Sequence, residues 1–446
     1  MKDYINVIGG GLAGCEAAYQ IAKRGIKVKL YEMKPIKFSP AHSNENLAEI
    51  VCSNSFKSNL LTNACGLLKE ELRMLDSLLI KCADKCKVPA GQALAVDREE
   101  FAKLVTNEIE NNPNIEVVKE EVTKVNDDEI TIIATGPLTS EGLESEIARL
   151  TGKEKLFFYD AAAPIVTKES IDMTKAFTAD RYGKGESDYI NCPMTKEEYE
   201  AFYKELINAE RVELHDFEKG GLFEGCMPIE EMARRGSQTL TYGPLKPVGF
   251  GKLGDVYAVV QLRQDNKEGT LFNLVGFQTN LKFGEQKRVF SMIPALQNAE
   301  FVKYGVMHRN TFINSTELLD ASYNLKGTKV FFAGQISGVE GYVESISSGL
   351  VAGLNACAMY NKKNSDKKEN TENILEKAIL NGEKIIFDSE TIIGSLAKYI
   401  STPHEKFEPM NANFGLLNTE KRFKSKQEKY EFFANKSLEK ISVQIN

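Results

Sequence analysis

Cys226 lies in the stretch GLFEGCMPIEEMARRGSQ (221–238), between Gly225 and Met227-Pro228, at the start of what reads as a very short helix. Pro228 suits the first helical position, where a missing N–H costs nothing, and Gly236 suits the residue just past a helix end. Glu230 and Glu231 each precede an arginine, Arg234 and Arg235, by four residues, the order that favours ion pairs along a helix surface. A thiol beside the unpaired N–H groups of a helix start is favoured as thiolate, the form that attacks electrophilic carbon. Glu224, Glu230 and Glu231 oppose that effect, and the competing reading is a small apolar residue that fills a gap. The other cysteines are Cys15, Cys52, Cys65, Cys82, Cys86, Cys192 and Cys357. They form no C-x-x-C pair, so neither a disulfide framework nor a metal site is expected.

A nucleophile needs a frame, and 446 residues are too many for one compact core, so two or three domains are expected. With 42% hydrophobic and 27% charged residues the chain reads as globular. A net charge of −7 gives no general attraction for polyanions, so any contact with nucleic acid must use local basic patches. The chain opens directly into a strand and has no apolar run long enough to span a bilayer, which predicts a cytoplasmic protein with no membrane partner.

The clearest local signal is YINVIGGGLAGCEAAYQIAKRGIKVKLYEM (4–33). An apolar strand, residues 4–8, runs into Gly9-Gly10-Gly11-Leu12-Ala13-Gly14, then a helix rich in alanine, then a second strand ending at Glu32. These glycines permit a tight turn, close approach of a pyrophosphate and close helix–strand packing, and Glu32 is spaced to bind a ribose hydroxyl pair. Two later segments favour FAD over NAD. EITIIATGPLTS (129–140) is a strand ending in Ala134-Thr135-Gly136, similar to the second dinucleotide contact of two-site flavoproteins. TKVFFAGQISGVEGYVESISSGLVAG (328–353) is a strand and a glycine-rich turn carrying Gly334 and Gln335, then a helix, and it resembles the late segment of such proteins, where a helix N-terminus faces the flavin.

Segments so far apart imply an α/β architecture, a discontinuous Rossmann-like FAD-binding domain with an inserted α+β domain. Its first part is expected over 1–185 and its second over 301–446, with the insertion at 186–300. There the alternation in VYAVVQLRQDN and TLFNLVGFQTNL predicts antiparallel strands. A polar connector is expected near 361–371, and residues 419–441 read as a basic, amphipathic helical tail.

Between these motifs lie LAEIVCSNSFKSN, VPAGQALAVDREEF, YINCPMTKEEYEAFY, FEGCMPIEEMARRG, GEQKRVFSMIP, YGVMHRNTFINS and PMNANFGLL. In this order, and over nearly the whole chain, they resemble the family of folate- and FAD-dependent tRNA (uracil-5-)-methyltransferases. The resemblance implies transfer of a one-carbon unit from 5,10-methylenetetrahydrofolate to C5 of a uridine, and its reduction to methyl by FADH2. NADPH or NADH would recharge the flavin, the usual target is the T-loop uridine 54 of tRNA, and no obligatory protein partner is implied. On the same grounds Cys226 attacks C6 of the uracil, while Cys52 stands beside the isoalloxazine and takes the C5 proton. Ser53 and Asn54 are candidates to hydrogen-bond the flavin or the base. Lys287, Arg288, His308 and Arg309 are candidates for the folate glutamate tail or RNA phosphates. Tyr304 and Phe283 are candidates to stack on the pterin or on a flipped base.

Asn280 and Phe283 stand where histidine and tryptophan are frequent in that family, and Gln92 where glycine is common. Asn280 matters most, because an imidazole there would stack on or bond the folate. These departures admit a second substrate, a uridine of 23S ribosomal RNA. The rival enzymes are the larger folate/FAD protein that modifies the wobble uridine with a GTPase, and a plain NAD(P)H–flavin oxidoreductase. A non-catalytic flavin-bound RNA-binding or interaction protein is the alternative of another class. The oxidoreductase leaves both cysteine motifs without a role, and the non-catalytic protein would keep the fold and dispense with the cysteines, yet both remain.

Overall fold

The computed structural model describes residues 2–153, 156–183, 188–212, 227–250, 254–363 and 371–446. Its first layer is a five-stranded parallel sheet in the order Val330–Phe332, Thr131–Ile133, Tyr4–Ile8, Lys27–Glu32, Ile115–Lys119. Runs such as Ile5, Val7 and Ile132-Ile133 are buried, as expected of parallel strands covered on both faces. The helix Leu12–Ala22 returns the chain from the first strand to the second, as the glycine motif predicts. The segment at 328–353 gives the strand Val330–Phe332, a 3-10 turn over Gln335–Ser337 and the long helix Tyr342–Lys363. That helix lies directly against Leu12–Ala22. A Cβ on Gly349 would come within 2.2 Å of the Ala13 carbonyl, and one on Gly353 within 3.0 Å of that of Ala17.

The second layer is a six-stranded antiparallel sheet with its own core around Phe202, Phe277 and Phe290. The two alternating segments pair as expected, with Leu262 opposite Leu274 in the strands Ala258–Gln264 and Leu271–Leu274. The sheet is wider than the alternation shows. It takes in Ile165–Thr167 and Phe177–Thr178 before residue 186, and Phe301–Lys303 after residue 300. The expected limits of the insertion therefore fall inside the sheet. Alternation marks a strand but not the distant edge that must satisfy its N–H and C=O groups.

Residues 361–363 of the expected connector complete the long helix, and 364–370 lie outside the described residues. The C-terminal helix is Lys426–Ile445, capped by Ser425, and it buries Phe433, Ala434, Ser437 and Ile441. It packs on the first core. Among the described residues no helix is long and apolar enough to cross a membrane.

Candidate active site

The first turn of Leu12–Ala22 opens onto a cleft lined by Gly9, Gly10, Gly11, Leu12 and Ala13, by Glu32, by Thr135 and Gly136, and by Gly334 and Gln335. Each glycine of the motif has its own reason. Gly9 has φ +102°, and a Cβ there would sit 2.6 Å from the Ala134 carbonyl oxygen. A Cβ on Gly14 would fall 1.8 Å from the Gly9 carbonyl, so Gly14 serves packing and does not line the cleft. At Gly11 and Gly136 a Cβ would meet nothing within 4 Å. The space at Gly11 lies over helix amides that no side chain caps, with no acid in the first turn. That is the setting an anionic pyrophosphate needs.

Glu32 ends its strand with its carboxylate fixed, accepting from the Gly10 amide at 2.9 Å and the Lys34 amide at 2.9 Å. Thr135 and Thr139 share a hydroxyl hydrogen bond of 2.7 Å, and Gln335 donates to Glu340 at 2.7 Å. Burial, with Asp160 nearby, pushes the Glu340 carboxyl up to about 8. The cleft also includes Lys34, His42, Glu49 and Tyr342, which motif reasoning did not single out. Lys34 donates to the Asn46 carbonyl at 2.6 Å and pairs with Glu49 at 3.3 Å, both side chains nearly inaccessible. Burial opposes the Glu49 charge, but the Ser43 amide, Lys34 and His42 outweigh it and hold the carboxyl below its usual range. Burial and Lys34 lower His42. Glycines, open space, helix amides and a strand-end acid together fit FAD.

Cys52 stands beside this cleft on an irregular loop. Its amide and that of Ser53 both donate to the Tyr342 hydroxyl, at 3.0 and 3.2 Å, and Tyr342 itself lines the cleft. The Cys52 thiol lies 3.7 Å from the Ala161 carbonyl. Among the described residues the other cysteines are all buried. Burial pushes Cys65 up to about 11, and Cys82, Cys192 and Cys357 up to about 12. Cys192 pairs with Val260 in the middle of the second sheet and is a core residue. Among the described cysteines Cys52 alone is half-buried. Lys303 is disfavoured as a cation by burial and by Arg98, while Asp265, Glu49 and Cys52 act the other way.

Asn54 is not brought to the cleft. It is fully buried, donates to the Val96 and Gln264 carbonyls at 3.1 and 2.9 Å, and accepts from Arg263 and Asn273. Its amide is spent within the protein, so the expected contact with flavin or base is replaced by a structural one.

Cys226 lies outside the described residues, but the chain just after it is held firmly. Pro228 occupies the cap of the helix Ile229–Arg234, one position before the expected first turn, and Gly236 follows its end with φ +149°. The Ile229 amide donates to the Gln278 carbonyl at 2.7 Å. Glu230 is fully buried and accepts from Thr279 at 2.9 Å and from the Asn280 amide at 2.7 Å; burial raises its pKa. The predicted pairs along the helix are replaced. Glu230 turns inward, Glu231 pairs with Arg211, and Arg234 donates to the Ile207 carbonyl. Asn280 is buried and donates to the Val212 carbonyl at 3.1 Å, so it braces this segment.

The remaining candidates fall on separate elements. Phe283 is 53% exposed and stacks at 5.0 Å on Tyr304, which stacks at 5.6 Å on Phe301. Lys287 is exposed on the helix Phe283–Phe290, whereas Arg288 on the same helix is tied to Glu285 and Glu205. The His308 side chain lies outside the described ones. Arg309 sits over the Phe157 ring at 5.8 Å and lines a second cavity with Thr139, Glu144 and Ile336.

A family model described as glucose inhibited division protein A matches residues 4–364. The chain is 60% identical over 426 residues to the methylenetetrahydrofolate--tRNA-(uracil-5-)-methyltransferase TrmFO of Acetivibrio thermocellus, covering 94% of this chain and 93% of that one. It is 56% identical over 447 residues to the protein of the same name from Bacillus subtilis, covering 98% of each. Among solved structures, GidA of Aquifex aeolicus superposes with a TM-score of 0.67 at 17% identity, covering 98% of this chain and 73% of that one, a likeness of fold.

Proposed function

The chain belongs to the TrmFO family, within the wider group described as glucose inhibited division protein A, and we propose that it methylates C5 of a uridine in tRNA. The carbon comes from 5,10-methylenetetrahydrofolate. The observation that carries this reading is near-complete coverage at 56% identity or more, spanning the nucleotide motif and both cysteine segments. It favours tRNA over ribosomal RNA, and an enzyme over a non-catalytic binding protein. The T-loop uridine 54 as target, NADPH or NADH as reductant, and the cytoplasm as location complete the proposal.

In this reading Gly11 and the first amides of Leu12–Ala22 hold the pyrophosphate, Glu32 the ribose, and Thr135, Gly136, Gly334 and Gln335 the rest of the dinucleotide. FAD, when bound and reduced, supplies the hydride that completes the methyl group. The protein's own groups do the bond-making around it. Uracil C5 is a poor nucleophile until the Cys226 thiolate adds to C6 and places the electron pair on C5. That carbon attacks the folate methylene as its bond to N10 breaks, which leaves it joined to folate through N5. The bond to N5 breaks, with its electron pair leaving on the nitrogen, when the C5 proton is removed. Cys52 takes the C5 proton, leaving an exocyclic methylene. After its reduction the sulfur leaves C6 and the ring double bond is restored.

Deletion of the gene, with mass-spectrometric mapping of 5-methyluridine in tRNA and ribosomal RNA, tests the substrate. Loss from the tRNA T loop is expected, and loss from ribosomal RNA alone overturns the tRNA reading. RNA carrying 5-fluorouridine should trap the protein as a complex stable to denaturation. If Cys226→Ala still forms that complex, the nucleophile is another residue.

A further inference from the structure

We propose that the buried network Arg98–Asp265–Asn273–Asn54–Arg263 is a positioning device that registers the Cys52 loop on the inserted sheet. Arg263 and Asp265 are then positioning residues for the chemistry at Cys52, a statement that rests on the reading of Cys52 as part of the methyl-transfer site. Three successive residues of the loop are held. Arg98 donates to the carbonyls of Ile50 and Cys52, at 3.0 and 3.1 Å, and grips Asp265 with two nitrogens at 2.9 and 3.2 Å. Arg263 donates to the Ser53 hydroxyl at 2.6 Å and to the Asn54 side-chain oxygen at 3.0 Å. Asn273 bridges the two halves, donating to Asn54 at 3.1 Å and to Asp265 at 3.0 Å.

The partners come from opposite domains. Arg98 begins the helix Arg98–Glu110 of the nucleotide-binding part, whereas Arg263 and Asn273 lie in the strands Ala258–Gln264 and Leu271–Leu274, and Asp265 follows the first. Asn54, Asp265, Asn273 and Arg263 are 0, 4, 4 and 9% exposed. Taking guanidiniums and a carboxylate out of water is costly, and apolar side chains would join the domains at least as firmly. What a satisfied polar network adds is one fixed geometry.

The reach of the same stretch shows what that geometry is for. The chain from Arg263 runs on to Gln278, Thr279 and Asn280, which anchor Ile229 and Glu230 just after Cys226. One continuous segment therefore ties both the Cys52 loop and the helix Ile229–Arg234 to the inserted domain. A misplacement of about 1 Å is enough to cost about 100-fold in rate.

The test uses the full-length, flavin-loaded protein with Asp265→Asn and Asn273→Ala. Turnover in methylation should fall about 100-fold in Asp265→Asn, with KM for RNA within about twofold of wild type. Alkylation of Cys52 by iodoacetamide, followed by mass spectrometry across pH, should show an altered pH profile in both variants. Arg98→Lys should give intermediate values for both readouts. Wild-type turnover and a wild-type alkylation profile, even with a lowered melting temperature, overturn the proposal. If Asp265→Asn does not fold, Asn273→Ala, which removes only a neutral amide, decides by the same criteria. Alkylation needs neither RNA nor folate. A shifted profile in a protein whose wild type methylates nothing would keep the device and discard the methyl-transfer reading.

Discussion

The Tyr342 hydroxyl accepts hydrogen bonds from two consecutive amides, those of Cys52 and Ser53, at 3.0 and 3.2 Å. Tyr342 opens the long helix that packs on the nucleotide-binding helix, so the thiol's loop is fixed from the cofactor side as well as from the inserted sheet. Tyr342→Phe removes the acceptor and keeps the ring. Leaving these part-buried donors unpaired costs about 1–3 kcal/mol each. The amides of Cys52 and Ser53 should then exchange with deuterium about tenfold to 100-fold faster than in wild type, at that cost. Unchanged exchange at both amides would mean that the loop is held without this hydroxyl.

Two glycines of one motif should respond in opposite ways. Gly11→Ala adds a methyl into open space, so the flavin-free protein should melt within about 0.5 kcal/mol of wild type. The same methyl occupies the approach to the helix amides, and flavin affinity should fall about tenfold or more, about 1.4 kcal/mol. Gly14→Ala meets the Gly9 carbonyl and should destabilise the protein by about 1–3 kcal/mol whether or not flavin is present. Thermal melting and flavin titration of both variants separate the two effects.

Far from the cleft, Glu71 is fully buried and accepts from the amides of Ile392 and Ile393 at 2.8 Å each, and from Ser437. Burial pushes its carboxyl from 4.5 up to about 7 despite these donors. Between those values the folded protein binds the proton more than the unfolded chain does. This group's contribution to stability is therefore fully present below pH about 4.5 and is lost as pH rises through about 7, a swing of about 3 kcal/mol. Glu71→Gln does not titrate. The difference in urea midpoint between wild type and variant should shift against wild type as pH rises across that window. A difference independent of pH would mean that this carboxyl has the same pKa in the folded and unfolded chain.

The nucleotide end was legible because its constraints are local. Strand, glycine turn, helix and terminal acid lie within residues 4–33, and the structure builds them there. The width of the inserted sheet was not legible. Ile165–Thr167 and Phe301–Lys303 are too short to show alternation, and their pairing is fixed only by distant neighbours. Asn54 misled for a related reason. A polar side chain next to a cysteine motif looks available until its partners, Arg263 and Asn273, arrive from two hundred residues away in sequence. Tyr342 and Arg98 carried no signal of their own, since a tyrosine at a helix start and an arginine after a strand are ordinary until the loop they hold is seen.

The strand Val330–Phe332 lies beside Thr131–Ile133, and the helix after it rests on Ala13 and Ala17 through Gly349 and Gly353. On the ribosome, the amino-terminal half of the cleft thus waits for its last strand until most of the chain has been made. Until then the edge at Thr131–Ile133 is bare and the alanine face of Leu12–Ala22 is uncovered. The inserted sheet, whose strands span residues 165–303, is synthesised inside this interval. The cleft is therefore completed only by one of the last strands to be made, however early its glycine motif emerges.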